Sequence, residues 1–347
     1  MNISKLTEKN RRAWDEYILG RAEGLPQHLS AWQEIMQQTY GYKTHFLMAR
    51  DEGGATIGVL PLFFVESMLT GRTATTMPGG LCADSDDVAR ALLAQGREAA
   101  TARGATRFVV QDTIHSWPDM ARTSSNHVRW VVDLATDEEN QWSGLHRNVR
   151  RQIRIARKNE LTAIVDRSGD SLDDFYNVLS HFTHQAGTPV FPREFAANVM
   201  AAFPDSFNIV VIYKDDLPIG GYFQLELGES VHGLWGAALH EHLQLRPVYL
   251  AYWTILAEAV RGGNTKLDMG RSPAESNASK FKGQWGGYSL PVYQQVSPLN
   301  GQGPATTVTN QTQTNGKLRS FMQLWPRIPF PVAQFLGPKL RRHVPFA

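Results

Sequence analysis

The sequence holds a single cysteine, Cys82, among its 347 residues. No internal disulfide can form, and a cysteine-rich zinc site is excluded. It also has no apolar run of the roughly 18–20 residues that cross a bilayer. Its longest runs, such as residues 57–65, are strand-sized. The formal net charge is only +2, which removes any global drive toward nucleic acid and leaves each basic patch to be weighed separately. Met1 is followed by polar and charged residues, which argues against a secretory signal and makes the cytoplasm the expected compartment.

What remains has the composition of a soluble enzyme, 42% hydrophobic and 20% charged, and a length that suits two domains with a tail. The expected division is a first domain over 1–140, a second over 141–295, a polar linker over 296–320, and a basic, aromatic tail over 321–347. One local pattern occurs twice. Residues 45–50 read as a strand, "DEGG" as a turn, and 55–67 as the return strand. Residues 208–213, "KDDLP" and 219–227 repeat that order, and both return strands carry an Ile–Gly pair near their start. In a chain of this length the recurrence points to internal duplication. Helices are expected at 7–19, 32–40, 86–103, 172–186, 192–203 and 248–260, and further strands at 106–112, 129–134, 232–238 and 265–270. The alternation predicts a mixed α/β fold in both halves.

Four segments carry residues suited to chemistry. In 145–160, Leu145, Val149, Ile153 and Ala156 recur at helical spacing and form one apolar face. Arg147, Arg150, Arg151, Arg154, Arg157 and Lys158 cover much of the rest, where guanidinium forks suit phosphate oxygens; a solvated interdomain helix is the plainer alternative. In "HFTHQAGTPVFP" (181–192), His181 and His184 stand three apart with no Cys or acid to complete a metal set, so no metal is expected. In 234–259, a glycine-interrupted strand leads through His240 to a helix starting near Pro247, with Tyr249, Tyr252 and Trp253 as core or pocket residues. In "KLDMGRSPAESNASKFKGQWGG" (266–287), a strand ends near Asp268, Gly270 permits a close turn, and Arg271, Ser272, Lys280 and Lys282 offer donors around Trp285. Asp268 is the candidate general base or acceptor-orienting group, with His240 and Glu275 as alternatives. The bland reading makes Asp268–Arg271 an ion pair and Phe281–Trp285 a hydrophobic lock.

Taken in order, the basic helix, "GTPVFP" at 187–192, "LAYW" at 250–253, "DMGRS" at 268–272, "KFKGQWGG" at 280–287 and the tail "LWPRIPFPVAQFLGPKLRR" resemble the FemAB-related branch of the GNAT acyltransferase superfamily, especially its exosortase- and exopolysaccharide-associated members. The resemblance spans nearly the whole chain. It implies two tandem GNAT-like domains, with the chemistry mainly in the second. The chain departs from ordinary members in lacking the Arg/Gln-x-x-Gly-x-Gly/Ala loop that cradles acetyl-CoA. It also lacks the long helical hairpin of some tRNA-using relatives.

The resemblance implies transfer of an acyl group from acyl-CoA or another thioester, an acyl-carrier protein included, to an amine or hydroxyl of a cell-envelope saccharide or lipid-linked precursor. The implied substrate-binding residues are Arg147, Arg151, Arg154, Tyr252, Arg271, Ser272, Lys280, Lys282 and Trp285. Aminoacyl-tRNA-dependent transfer to a peptidoglycan-type acceptor is the alternative reaction. A saccharide-binding scaffold without catalysis is the alternative of another class. No Ser-His-Asp or Cys-His set can be assembled, and Cys82 shows no evident base. The tail adds a candidate peripheral contact with the inner membrane face.

Overall fold

The computed structural model describes residues 1–67, 71–113, 115–117, 120–299 and 316–343. They form two compact units that are not consecutive in the chain. The first comprises 1–126, 291–320 and 339–347, and the second 127–290 and 321–338. The division thus falls ahead of the expected break at 140, and the chain returns to the first unit at Pro291.

Numbered along the chain, the first unit holds β1 (Asn2–Lys5), α1 (Glu8–Leu19), α2 (Trp32–Tyr40), β2 (Lys43–Arg50), β3 (Thr56–Ser67), β4 (Gly71–Thr75), β5 (Cys82–Ala83), α3 (Asp86–Ala102), β6 (Arg107–Thr113) and most of β13 (Tyr288–Pro298). Its strand order is β1-β2-β3-β4-β6-β13, with β5 on β3. Neighbours run antiparallel except β4 and β6, which α3 connects as a parallel pair. Parallel neighbours need a crossover, which α3 supplies. Ser85 caps α3 by accepting from the Val88 N–H, and its stripe of Val88, Ala89, Leu92 and Leu93 is buried with Leu60 and Leu62 of β3 and Phe108 of β6.

The second unit repeats the plan. It holds part of β7 (Ala121–Asp133), then α4 (Glu138–Gly144), α5 (Arg147–Lys158), β8 (Leu161–Asp166), α6 (Leu172–Gln185), α7 (Arg193–Ala202), β9 (Phe207–Lys214), β10 (Leu217–Leu227), β11 (Ser230–Ala238), α8 (Pro247–Arg261), β12 (Lys266–Pro273) and α9 (Asn277–Gly283). Strand order is β8-β9-β10-β11-β12-β7, again antiparallel throughout except for β11 and β12, which α8 connects. The duplicated hairpins occupy equivalent places, β2–β3 in one unit and β9–β10 in the other. Each sheet closes on a strand that comes after the other unit's parallel strand in the chain. β7 comes after β6 but pairs with β12, and β13 comes after β12 but pairs with β6.

The expected helices all form, within a residue or two at each end. Short or paired elements were missed: β1, β4, β8, α4, and α9, where a polar loop was expected. β13 and a helix over Gly316–Leu324 both extend into the stretch assigned to the linker, whose residues 300–315 lie outside those described. After a 3-10 turn at Trp325–Arg327, a further helix covers Phe330–Arg341 with Pro338 inside it. The tail therefore breaks into short helices.

Candidate active site

The parallel pair is short in both units, and beyond it the two units differ. β11 and β12 pair over Ser230–His232 and Lys266–Asp268. β12 then continues along β7, and β11 along β10. Leu234 is an extra residue in β11, since Gly233 and Trp235 oppose the consecutive Gln224 and Phe223; such a bulge bends a strand. The two strands thus turn to different partners past His232 and Asp268. In the first unit the equivalent place is stitched shut. Thr76 N donates to Val109 O at 3.1 Å, Gly79 N to Gln111 O at 3.1 Å, and Gln111 N to Thr76 Oγ1 at 2.9 Å. The Gln111 amide adds a bond to Thr75 Oγ1 at 3.0 Å.

Asp268 sits at the last position of β12 that pairs with β11. Its Oδ2 lies 3.5 Å from His232 Nδ1 on β11 and 3.4 Å from Arg129 Nε on β7, and its Oδ1 accepts from the Gly270 N–H at 2.8 Å. Burial alone would raise this carboxyl. The His232 contact, the Arg129 charge and the Gly270 N–H outweigh it and hold Asp268 below its ordinary value. Gly270 adopts φ +73°, and a Cβ there would lie 3.3 Å from Gly233 O, so glycine suits both the backbone and the approach of the neighbouring strand.

Lys282 completes the cluster from α9. Its ammonium donates to Gly270 O at 3.0 Å and Arg271 O at 3.1 Å. Burial pushes it down to about 8, Asp268 opposing and Arg271 reinforcing the shift. The helix carrying it is fixed by Ser276, which accepts from Ser279 N, and by Trp130 of β7, whose indole donates to Ser279 Oγ at 2.9 Å. Beside α9 lies an aromatic wall. Trp285, 1% exposed, is 5.7 Å from Tyr252, 6.2 Å from Tyr249 and 5.9 Å from Phe281 between ring centres. Among the described residues the Trp285 indole N–H and Arg246 Nε are buried without a hydrogen-bond partner. Arg246 is the N-cap of α8, the helix reached from β11 through a 3-10 turn over His240–Leu245.

The structure thus brings Asp268 and Lys282 together, with Arg271 and Ser272 on the same strand; Ser272 Oγ donates to Arg271 O at 2.8 Å. Asp268, read from the sequence as a partner for Arg271, pairs instead with Arg129 and His232. These two were missed because their strands join β12 only through pairing, 139 and 36 residues earlier in the chain. Phe281 and Trp285 do form an aromatic contact. His240 and Glu275 are exposed in the segments after β11 and β12, and Lys280 is exposed on α9.

Arg147, Arg151 and Arg154 lie on the exposed side of α5, whose Leu145-flanked face of Val149, Ile153 and Ala156 is buried. Among the described residues none of the α5 cations takes part in an ion pair. Arg154 and Arg157 stand over the Trp142 ring at 5.6 and 5.5 Å. His181 stacks on Phe330 at 3.7 Å, and a ring nitrogen of His184 lies 2.9 Å from Ile328 O. Cys82 does have a basic neighbour, His28, with Sγ 3.3 Å from Nδ1. The thiol is buried and pushed up to about 12, chiefly by that burial, and a thiol held protonated is a poor nucleophile.

The twice-repeated sheet, parted after one parallel pair and crossed there by a helix, defines a tandem GNAT fold. Residues 143–282, which lie in the second unit, match the family described as "Acetyltransferase (GNAT) domain". A search of curated proteins gives no match. Among solved structures, FemX, a FemAB-family protein, superposes with a TM-score of 0.67 at 15% identity over 86% of this chain and 98% of that one. A tandem GNAT protein from the clavulanic acid biosynthesis pathway gives 0.57 at 11% identity over 87% and 99%. The C-terminal domain of a putative lysylphosphatidylglycerol synthetase from Agrobacterium fabrum gives 0.54 at 14% identity over 81% and 92%. The fold is that of FemAB-related and tandem GNAT proteins.

Proposed function

We propose that the protein transfers an acyl group from a thioester donor, acyl-CoA or an acyl-carrier protein, to an amine or hydroxyl of a cell-envelope saccharide or lipid-linked precursor. The observation that carries this reading is the parting of β11 from β12 beside a buried cation, Lys282, in a GNAT domain. Separated parallel strands leave backbone groups that a pantetheine-like chain can engage. The start of α8, with no acid in its first turn and Arg246 as its cap, suits the donor's phosphates.

In the proposed reaction the acceptor's lone pair attacks the donor carbonyl, and the C–S bond breaks as the new C–N or C–O bond forms. The acceptor's proton leaves with solvent or the departing sulfur. Lys282 and backbone N–H groups stabilise the oxyanion. Asp268 is assigned a positioning role: Arg129 and His232 keep it ionised and weakly basic, so it orders Gly270 and the carbonyls that hold Lys282. Arg271, Ser272, Tyr252 and Trp285 belong to the proposed substrate surface, with Lys280, His240 and Glu275 at its exposed margin. Aminoacyl-tRNA as donor is the second reading, favoured by the exposed row Arg147, Arg151 and Arg154 on α5, which forms no ion pair among the described residues. With such acceptors the proposed location is the cytoplasm, with peripheral contact at the inner membrane face.

Native mass spectrometry against acyl-CoAs, acyl-carrier proteins and aminoacyl-tRNAs tests the reading. Retention of one thioester, followed by product with a saccharide acceptor, is expected. Retention of aminoacyl-tRNA alone selects the second reading, and absence of any donor complex overturns both in favour of a saccharide-binding scaffold.

A further inference from the structure

Beside the carbonyl end of α3 the first unit holds a cavity of about 220 Å³, whose lining includes Lys43 of β2, Phe64 and Glu66 of β3, Arg72 of β4, and Arg103 and Ala105 from the turn after α3. Strand register builds it. Lys43 stands opposite Phe64 across β2–β3, and Glu66 opposite Arg72 across β3–β4. Phe64 and Glu66 are two residues apart and share one face of β3. That face is the one α3 covers, since Phe64 packs against the core that Leu62 and Leu92 share.

Three cations therefore meet one acid. Glu66 Oε1 lies 3.5 Å from Arg72 Nε, whereas Lys43 and Arg103 take part in no ion pair among the described residues. A Cβ on Gly104 would lie 3.4 Å from Arg72 Nη1, so that guanidinium reaches the turn bearing Arg103. His45, on the same face of β2 as Lys43, registers the excess of positive charge. Burial pushes it down to about 4, and the charges of Lys5 and Arg103 add to the shift.

Cations often gather at a helix C-terminus to meet its last carbonyls. Here the backbone of the turn meets them. Ala100 O accepts from the N–H groups of Arg103 and Ala105 at 3.2 and 3.0 Å, and Thr101 O from that of Gly104 at 2.9 Å. The Arg103 guanidinium instead stands over the Phe64 ring, 4.4 Å from its centre, which holds it at the cavity wall.

Size and charge select the ligand. The volume is below the roughly 300–1,000 Å³ of pockets that enclose drug-sized molecules, so the occupant is small. Three cations from three elements exceed the single charge of one carboxylate. A phosphomonoester carries about −1.5 to −2 near pH 7 and offers three acceptor oxygens, which guanidinium forks and an ammonium match. We propose that this cavity binds a phosphomonoester, with Lys43, Arg72 and Arg103 meeting its oxygens. The site belongs to the first unit and does not depend on the reaction assigned to the second.

Isothermal titration of the full chain with glycerol 3-phosphate in Tris chloride, beside sedimentation with phosphatidylcholine vesicles carrying phosphatidic acid, tests it. Saturable binding is expected and should weaken as salt rises. Lys43→Gln and Arg103→Gln should each weaken it about tenfold, as expected for losing one charge-assisted contact. Thermal unfolding should be unchanged, because both side chains are exposed. Binding of glycerol 3-phosphate identifies a soluble ligand; binding of the vesicles alone, lost in the double variant, identifies a lipid headgroup. Absence of binding to both probes, or wild-type binding by Lys43→Gln/Arg103→Gln, would overturn the proposal. So would binding that Arg246→Gln removes and the double variant keeps, a result that would put the phosphate at the start of α8 and support the donor site.

Discussion

His232 and Asp268 are register partners at the point where β11 and β12 stop pairing, with His232 Nδ1 3.5 Å from Asp268 Oδ2. One carboxylate there holds His232, Arg129 and the Gly270 N–H, and through Gly270 it fixes a carbonyl that Lys282 contacts. Changing Asp268 to Asn strands Arg129 without its counter-charge and should cost roughly 3 kcal/mol, the lower end for breaking a buried pair. Denaturant unfolding measures this. Because its folded-state pKa is depressed, Asp268 contributes fully above the unfolded carboxylate value of about 4 and loses that contribution as pH falls through the lower folded value. The wild type should therefore lose more stability over that acid window than Asp268→Asn does.

Lys282 titrates near the pH at which activity would be assayed. Its folded-state value of about 8 lies below that of an unfolded lysine, about 10.4, so folding releases a proton in between and stability rises with pH over that window. Lys282→Met should flatten that slope. If its cation serves the oxyanion, transfer should decline above pH 8 in the wild type, and the variant should lose roughly 100-fold in kcat with no alkaline limb of its own. A variant with unchanged kcat removes Lys282 from the mechanism.

Gln111 in the first unit marks the contrast between the parallel pairs. Its side chain and backbone cross to Thr75 and Thr76 where the second unit's strands part. Gln111→Ala should cost about 1–3 kcal/mol by leaving buried groups unsatisfied, read by thermal unfolding, while kcat and KM stay at wild-type values. A large fall in kcat without loss of stability would assign chemistry to the first unit.

Cys82 should resist iodoacetamide at pH 8 in the folded protein and react on unfolding, since its thiol is buried and its pKa stands near 12. Intact-mass spectrometry distinguishes the two states. Cys82→Ala should keep full activity; loss of transfer with the fold intact would restore the Cys82–His28 pair as a catalytic candidate.

Much of the fold could be read from local signals. The 3.6-residue stripe of Val149, Ile153 and Ala156 gave α5, and the paired Ile–Gly openings gave the two equivalent hairpins. Short strands such as β4 and β8 escaped because their stability comes from neighbours rather than from a long period-two pattern. The site was legible only along one stretch of chain: "DMGRS" and "KFKG" supplied Asp268 and Lys282. Arg129 and His232 were not found, because strand register brings them to Asp268, and no local spacing encodes a register between β7, β11 and β12. For the same reason the plausible neighbour in sequence, Arg271, displaced the actual partner.

The traded last strands set the order in which the molecule can be completed. β6 ends at Thr113, yet the strand beside it spans Tyr288–Pro298, so the first sheet has an open edge until nearly all of the second unit has left the ribosome. Such long-range pairing slows folding and leaves a nascent edge exposed to other chains. A gene cut near residue 140 would give two fragments that each carry the other's closing strand. Neither fragment would be a whole domain, whereas the two co-expressed could complement each other.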